Sequence, residues 1–381
     1  MGAEPLALIP TFIDFESQSR ADLKRVGGRR YWDDPSTVVL CCVLHHPQWG
    51  RVKWWPARGP LFTLSDPPLE CVAAHNWETF DRHAWARLGW PTPVREVDTS
   101  IAARRAGIGG SLAKLGALVG RDVKDKEGSR FTVGLSTVRK PTLPKARPED
   151  LFPHDWAAAG RGERAVMRAA ATADTRARRQ ALNAAWKEAS RADKRRAGVL
   201  PDVSSEDLAR VVEYCGHDVD ALVDAWPLIA PFADVELDVQ AVDRVSNDRG
   251  ITVDLPLVRA LLDVDRLMAR EAAESVGVSL TDLASNVKFP ALVRALGADC
   301  PNAQFETVEE LTRHGDARVR DLAEARLSTA SIAKGKLEAA LARTSDDGRM
   351  RDNMRPIAAH TWRYAGSGFQ CQNIPWIDKR A

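Results

Sequence analysis

An apolar run that closes on two acids limits most strongly how this chain can fold. Residues 8–16 read LIPTFIDFE, a segment suited to a buried strand with acids at its end. Side chains alternate between the two faces of a strand, so Asp14 and Glu16, two apart, project from the same face. Like charges held side by side repel, and both ionise at low cost only with positive charge between them. A divalent metal is one solution, since Mg²⁺ favours carboxylate oxygens. A solvated strand end carries the same pattern, so the pair alone does not specify chemistry.

The neighbouring segments give the pair its setting. TVVLCCVLH at 37–45 and RVKWW at 51–55 predict a hairpin or meander, and ECVAAH at 70–75 and VREVDT at 94–99 predict two further short strands. Helical stretches are expected over about 77–88 and over 111–119. Strands followed by helices indicate an α/β layer with a mixed sheet and flanking helices. The segment 139–154 holds four prolines and reads as a surface linker. Residues 156–197 are Ala-rich and helical. Helical periodicity resumes over 205–229, with Ser204 or Ser205 as N-cap and Pro231 after the end. From 235 to 345 nearly everything reads helical, with breaks at Asn247–Gly250, Asn286–Pro290 and Asp346–Gly348; short extended runs follow over 349–375.

Composition excludes several classes. At 44% hydrophobic and 28% charged residues the chain is globular rather than disordered. No run of about 18 apolar residues is present, so no membrane span is expected. The N-terminus MGAEPLALIP lacks both a signal-peptide pattern and the Ser or Thr of a myristoylation signal, so a cytosolic address is expected. The six cysteines make no C-x-x-C pair and are expected as reduced, buried thiols. No P-loop and no G-x-G-x-x-G follows a strand, which argues against P-loop nucleotide hydrolysis.

Two more acidic positions extend the pattern. Asp81 lies in HNWETFD, where Asn76 is positioned to cap a helix start and Phe80 to pack inward, leaving Asp81 at a cleft edge. An acid that complements a helix dipole has the same signature. Tyr214 and Asp218, in EYCGHD, are four apart and share a helix face, where a half-buried tyrosine on a plain helix face is the other reading.

Taken together and in order, Asp14–Phe15–Glu16, Asn76…Phe80–Asp81 and Tyr214…Asp218 resemble the motifs of the DEDD 3′→5′ exonucleases, in the version with Tyr in the third motif. The family usually has three residues between the Asn and Asp of its second motif; here there are four. The resemblance implies a ribonuclease H-like α/β exonuclease domain. It implies two divalent ions, Mg²⁺ or Mn²⁺, held by Asp14, Glu16, Asp81 and Asp218, with Tyr214 orienting the attacking water and a single-stranded 3′ end as substrate. Asp98–Thr99, KDKEGSRF at 124–131, VSNDRGITVD at 245–254 and ASIAKGKLEAAL at 330–341 resemble stretches of bacteriophage family A DNA polymerases, as do DGRMRDNM and TWRYAGSGFQCQNIP (361–375). In relatives the last stretch carries a Thr-Gly-Arg motif that touches the primer–template duplex. Here Trp362 stands in place of the Gly while Arg363 keeps the charge, and Arg363, Gln370, Gln372 and Asn373 are the DNA contacts implied, with Asn76 at the exonuclease site.

The domains expected are an exonuclease domain over 1–232 with a basic helical insertion at about 140–203, a mainly α thumb-like region over 233–348, and the start of a palm-like segment over 349–381. The palm and fingers motifs of the family do not appear, so no polymerase activity is expected of this chain alone. The resemblance implies either one half of a split polymerase, with a separate palm-and-fingers subunit as partner, or a stand-alone exonuclease derived from one, acting on DNA in DNA replication and proofreading. The other functions open at this point are a non-catalytic subunit that holds duplex DNA and an RNA-processing exonuclease. Between 161 and 196 eleven Lys or Arg face four Asp or Glu, a local charge of +7. The segment is either a solvated helical pair or an arm on DNA phosphates, with clusters at Arg176, Arg178 and Arg179 and at Lys194, Arg195 and Arg196 as its contacts, and Trp156 and Trp186 anchoring it to the body.

Overall fold

Five strands form one mixed sheet around the acidic run: β1 (Thr11–Gln18), β2 (Val38–His46), β3 (Gly50–Trp54), β4 (Cys71–Ala74) and β5 (Arg95–Asp98), in the order β3-β2-β1-β4-β5. The computed structural model describes residues 9–121, 126–189, 191–235, 237–329, 332–359, 361 and 363–370. β2 pairs antiparallel with β1 and with β3, while β1–β4 and β4–β5 are parallel. The mixed sheet and flanking helices are those the strand and helix patterns predict.

Register assigns the two faces. Asp14 pairs with Val43 and Glu16 with Cys41, whereas Phe15 pairs with Cys42, which in turn pairs with Trp54. One face of β1 therefore carries Phe12, Asp14 and Glu16 and the other Ile13 and Phe15. The first face is covered by the 25-residue helix Ser205–Ile229 together with Leu112–Leu118. Its core includes Phe12, Val43, Leu115, Val211, Val219, Leu222 and Ile229, and Phe12 meets Trp226 edge-on at 5.5 Å. Ser204 caps the long helix in a reciprocal box with Asp207. The helix passes through Pro227 before ending ahead of the turn that holds Pro231.

The opposite face packs on an aromatic layer, which accounts for much of the tryptophan content. Trp90 has ring neighbours in Phe15, Trp54, Phe62 and Trp85, with centroids 5.6, 5.2, 5.1 and 4.9 Å away. Replacing Trp90 by Ala is expected to lower the stability of this unit by about 3–5 kcal/mol, the range for deleting a large buried ring. A denaturant titration followed by far-UV circular dichroism reads it, and a loss under about 1 kcal/mol would mean the layer closes over the void.

The basic insertion leaves and rejoins the sheet domain at one place. Arg139 and Val199 exchange two backbone hydrogen bonds at 2.8 and 3.0 Å. The buried Gln18 side chain donates to Leu135 O and Pro201 O, so both ends of the insertion are tied to β1. Within it run the helices Arg161–Glu188 and Arg191–Ala197. Trp156 and Trp186 are half-buried, and Arg164 and Arg168 lie over the Trp156 ring.

The chain divides into two compact units, 1–22 with 31–235, and 23–30 with 236–381. The second unit is helical around Leu283, Phe289, Val293, Val308, Val319 and Leu322. It takes in the short helix Leu23–Val26, and the Arg29 amide donates to Asp352 at 2.8 Å. Here two expected breaks move. The helix Leu237–Arg249 runs through Asn247 and ends only before Gly250, which has φ 64°; the Asn247 amide instead exchanges two hydrogen bonds with the Met354 backbone. Pro290 sits in the first turn of Lys288–Ala295, where its missing N–H costs no helical bond. The turn at Asp346–Gly348 is present, and Arg349–Met350 after it pairs with Ile251–Thr252. Among the described residues no helix is long and apolar enough to cross a membrane, and five cysteines are free and buried.

Candidate active site

Three of the predicted acids converge. Asp14 and Glu16 come from β1, and Asp218 comes from the long helix that crosses it. Each offers an oxygen, and these oxygens lie within 4.8 Å of one another. The crossing is registered locally: the Cys215 thiol, one turn before Asp218, donates to the Asp14 carbonyl at 3.3 Å. A break in the β1–β2 register follows Glu16, at the position where bulges commonly re-aim side chains beside active sites.

The electrostatics are those of acids crowded together out of water. Burial raises the Asp14 carboxyl to about 7. Burial and then Asp14 raise Asp218 to about 8. Glu16 is pushed well above the usual range by burial and by Asp14, Cys41, Asp218 and Asp81. Asp14 Oδ2 and Asp218 Oδ1 are buried without a hydrogen bond. Orphaned oxygens on Asp14 and Asp218, converging with Glu16, fit a hard divalent cation, which would let all three acids ionise.

Asp81 departs from its expected place at a cleft edge. It is 1% exposed and outside the converging set, while Phe80 is half-buried against Tyr31 and Trp32. Burial, then Asp14 and Asp98, raise its pKa. The amides of Phe15 and of Asp81 itself offset part of that rise, but neither carboxylate oxygen has a hydrogen bond of normal geometry. The cause of the inward placement is local. Trp77–Asp81 form a π-helical turn closed by the Arg82 amide on the Trp77 carbonyl, ahead of the helix Arg82–Arg87. A π turn accommodates one more residue than an α turn, which is how the four residues between Asn76 and Asp81 are absorbed. Asn76 does not cap this helix through its side chain: it is exposed, left-handed at φ 71°, and lines the cleft.

That cleft has a volume of about 280 Å³ and is lined by Asp14, His75, Asn76, Ser111, Tyr214 and Asp218 among others. Tyr214 is half-buried, with its hydroxyl on Ser129; burial, Asp218 and Glu16 all raise its pKa, so the phenol keeps its proton. His75 is a site residue that motif reading missed. Its buried ring meets Thr99 Oγ1 at 3.1 Å, and its Nε2–H donates to the Gly110 carbonyl at 3.2 Å, tying the end of β4 to the loop before Ser111. Burial lowers its pKa, so it is a neutral tether. The only sequence signal was its position beside Asn76 at a strand end. Asp98 accepts from the Ser100 and Ile101 amides and from the Glu78 amide, fixing the π turn against β5.

The basic candidates separate. Arg176, Arg178 and Arg179 are exposed on Arg161–Glu188. Arg195 is not available to a ligand as expected: one guanidinium nitrogen donates to the carbonyls of Ser19, Arg20 and Ala21. In the second unit Arg363 is exposed and Gln370 half-buried with φ 53°. Trp362, Gln372 and Asn373 lie outside the described residues.

No family model matches the chain, and no curated protein matches it. Ten chains of solved structures match. One is the POL domain of Pol1 from M. smegmatis in complex with DNA primer-template and dNTP, at 15% identity and a TM-score of 0.44, with 97% of this chain and 53% of that chain covered. This chain is similar to that one and spans about half its length.

Proposed function

We propose that the first unit is a metal-dependent 3′→5′ DNA exonuclease, serving as the proofreading part of a family A-type DNA polymerase. The observation that carries this reading is the meeting of Asp14, Glu16 and Asp218 within 4.8 Å, where Asp14 and Asp218 have orphaned oxygens and line an open cleft. Asp14, Glu16 and Asp218 would hold two divalent ions, with Asp81 beside them, and such ions supply Lewis acidity and a water acidified toward neutral pH. The protonated Tyr214 phenol, on the same helix face as Asp218, holds and orients a water. The Asn76 amide offers a donor and an acceptor to the incoming strand end at the cleft surface. His75 and Asp98 keep the cleft walls in register.

A subunit that only holds DNA has no use for buried acids that raise one another's pKa, since their ionisation disfavours folding. The deciding assay digests 5′-labelled single-stranded DNA with Mg²⁺ or Mn²⁺. A ladder shortening from the 3′ end, abolished by EDTA, is expected, and an intact substrate under both metals refutes the reading. An RNA oligonucleotide run in parallel separates a DNA from an RNA exonuclease. Tyr214→Phe should lower kcat by about tenfold, less than the roughly 10²–10⁴-fold of a full proton-transfer role, with the metal requirement unchanged. Complete inactivity would show that Tyr214 does more than orient water.

A further inference from the structure

A groove on the insertion lies away from the acids. It has a volume of about 460 Å³ and runs between the proline-rich segment 140–147 and the helix Arg161–Glu188. Its cations are Lys145, Arg176 and Arg179; Thr172, Gln180 and Asn183 supply uncharged hydrogen-bonding groups, and among the described residues no acid lines it. We propose that this groove binds the phosphate backbone of a single-stranded nucleic acid, with Lys145, Arg176 and Arg179 as the contacts.

The groove is built rather than incidental. Pro141 and Pro144 keep the segment from folding into helix. The segment is pinned along the helix by Ala146 N on Thr175 Oγ1 at 2.8 Å, by Arg179 Nη2 on Leu143 O at 3.4 Å and by Lys140 on Asn183. The pins on either side leave Lys145 across from Arg176 with both side chains exposed. Arg178 differs: it lies outside the groove and pairs with Asp174 at 3.6 Å.

The charge extends beyond the pocket, which favours a polyanion over a lone phosphate. The segment 161–196 carries a net +7, and its 28-residue helix extends about 42 Å at 1.5 Å per residue. Among the described residues no aromatic ring lines the groove, so recognition would rest on phosphates without regard to sequence. The proposal stands apart from the nuclease reading, because it concerns strand binding that needs no divalent metal.

The test measures binding of a fluorescently labelled oligothymidylate in EDTA, where turnover cannot occur, across a salt series. Each phosphate contact on a single strand contributes roughly −0.7 to the log–log slope. Lys145→Ala with Arg176→Ala and Arg179→Ala should flatten the slope by about 2. Arg178→Ala should leave it within error of the parent chain, and Arg176→Lys with Arg179→Lys should retain it. Circular dichroism melting verifies that the triple variant, altered only at exposed side chains, stays folded. Parallel slopes for parent and triple variant overturn the proposal. So does equal flattening by Arg178→Ala, which would mean diffuse attraction along the helix instead of a groove.

Discussion

Replacing Asp14 and Glu16 together by Ala is expected to abolish 3′-end digestion while leaving a folded protein. Two of the three converging carboxylates disappear, and Asp218 alone cannot hold a metal pair. Metal assistance contributes several kcal/mol of transition-state stabilisation, so the loss should be on the order of 10³-fold or more in kcat/KM. Folding should not suffer, because the change removes buried like charges. Single-turnover digestion of 5′-labelled DNA, with circular dichroism on the same preparation, measures both. Turnover near that of the parent chain in the folded double variant would move the chemistry elsewhere.

The second large effect is a pH- and metal-dependent stability. Asp14 is raised from 3.8 to about 7 and Asp218 to about 8, with burial the leading cause for both. The folded state therefore binds these protons more tightly than the unfolded chain does. The resulting stabilisation is complete below about pH 4 and is lost as pH rises through about 7 to 8. Without metal, the first unit should be less stable at pH 8.5 than at pH 5 by on the order of a few kcal/mol, or on the order of 5–10 °C in Tm. Asp316 and Asp347, held at about 2 by Arg318 and Arg351, act with the opposite sign only at lower pH, so the comparison begins at pH 5. Mn²⁺ at pH 8.5 should restore the loss, because it binds the ionised acids of the folded state alone. Ten of the twelve tryptophans fall within the first unit, so fluorescence melts report on it. In the Asp14→Ala, Glu16→Ala variant both the pH slope and the metal response should shrink. A Tm unchanged between pH 5 and pH 8.5 and insensitive to Mn²⁺ would contradict the assignment of these acids to a metal site.

Local chemistry made much of this legible. Alternation over 11–18 marks a strand that sends Asp14 and Glu16 to one face, because that geometry belongs to the backbone. Ser204, Asp207 and the apolar periodicity give the helix Ser205–Ile229 its start and its buried face, and so place Tyr214 one turn before Asp218. Less legible were features whose cause lies in an added residue or a distant partner. The four residues after Asn76 gave notice of an irregularity, but only the π turn turns Asp81 inward and leaves Asn76 left-handed. His75 has no motif, and its role comes from meeting Thr99 and Gly110.

By itself, the sequence determined which faces of which elements are apolar, acidic or basic, since periodicity and capping act over a few residues. The tertiary structure decided which of those faces meet. Asp218 joins Asp14 because Phe12, Cys215, Val219 and Trp226 share one core. Arg195 is bound by three carbonyls at the exit of β1, whereas Lys145 comes to face Arg176 across a groove. A charge's partner is set by distance in space after packing, and no spacing along the chain carries that information.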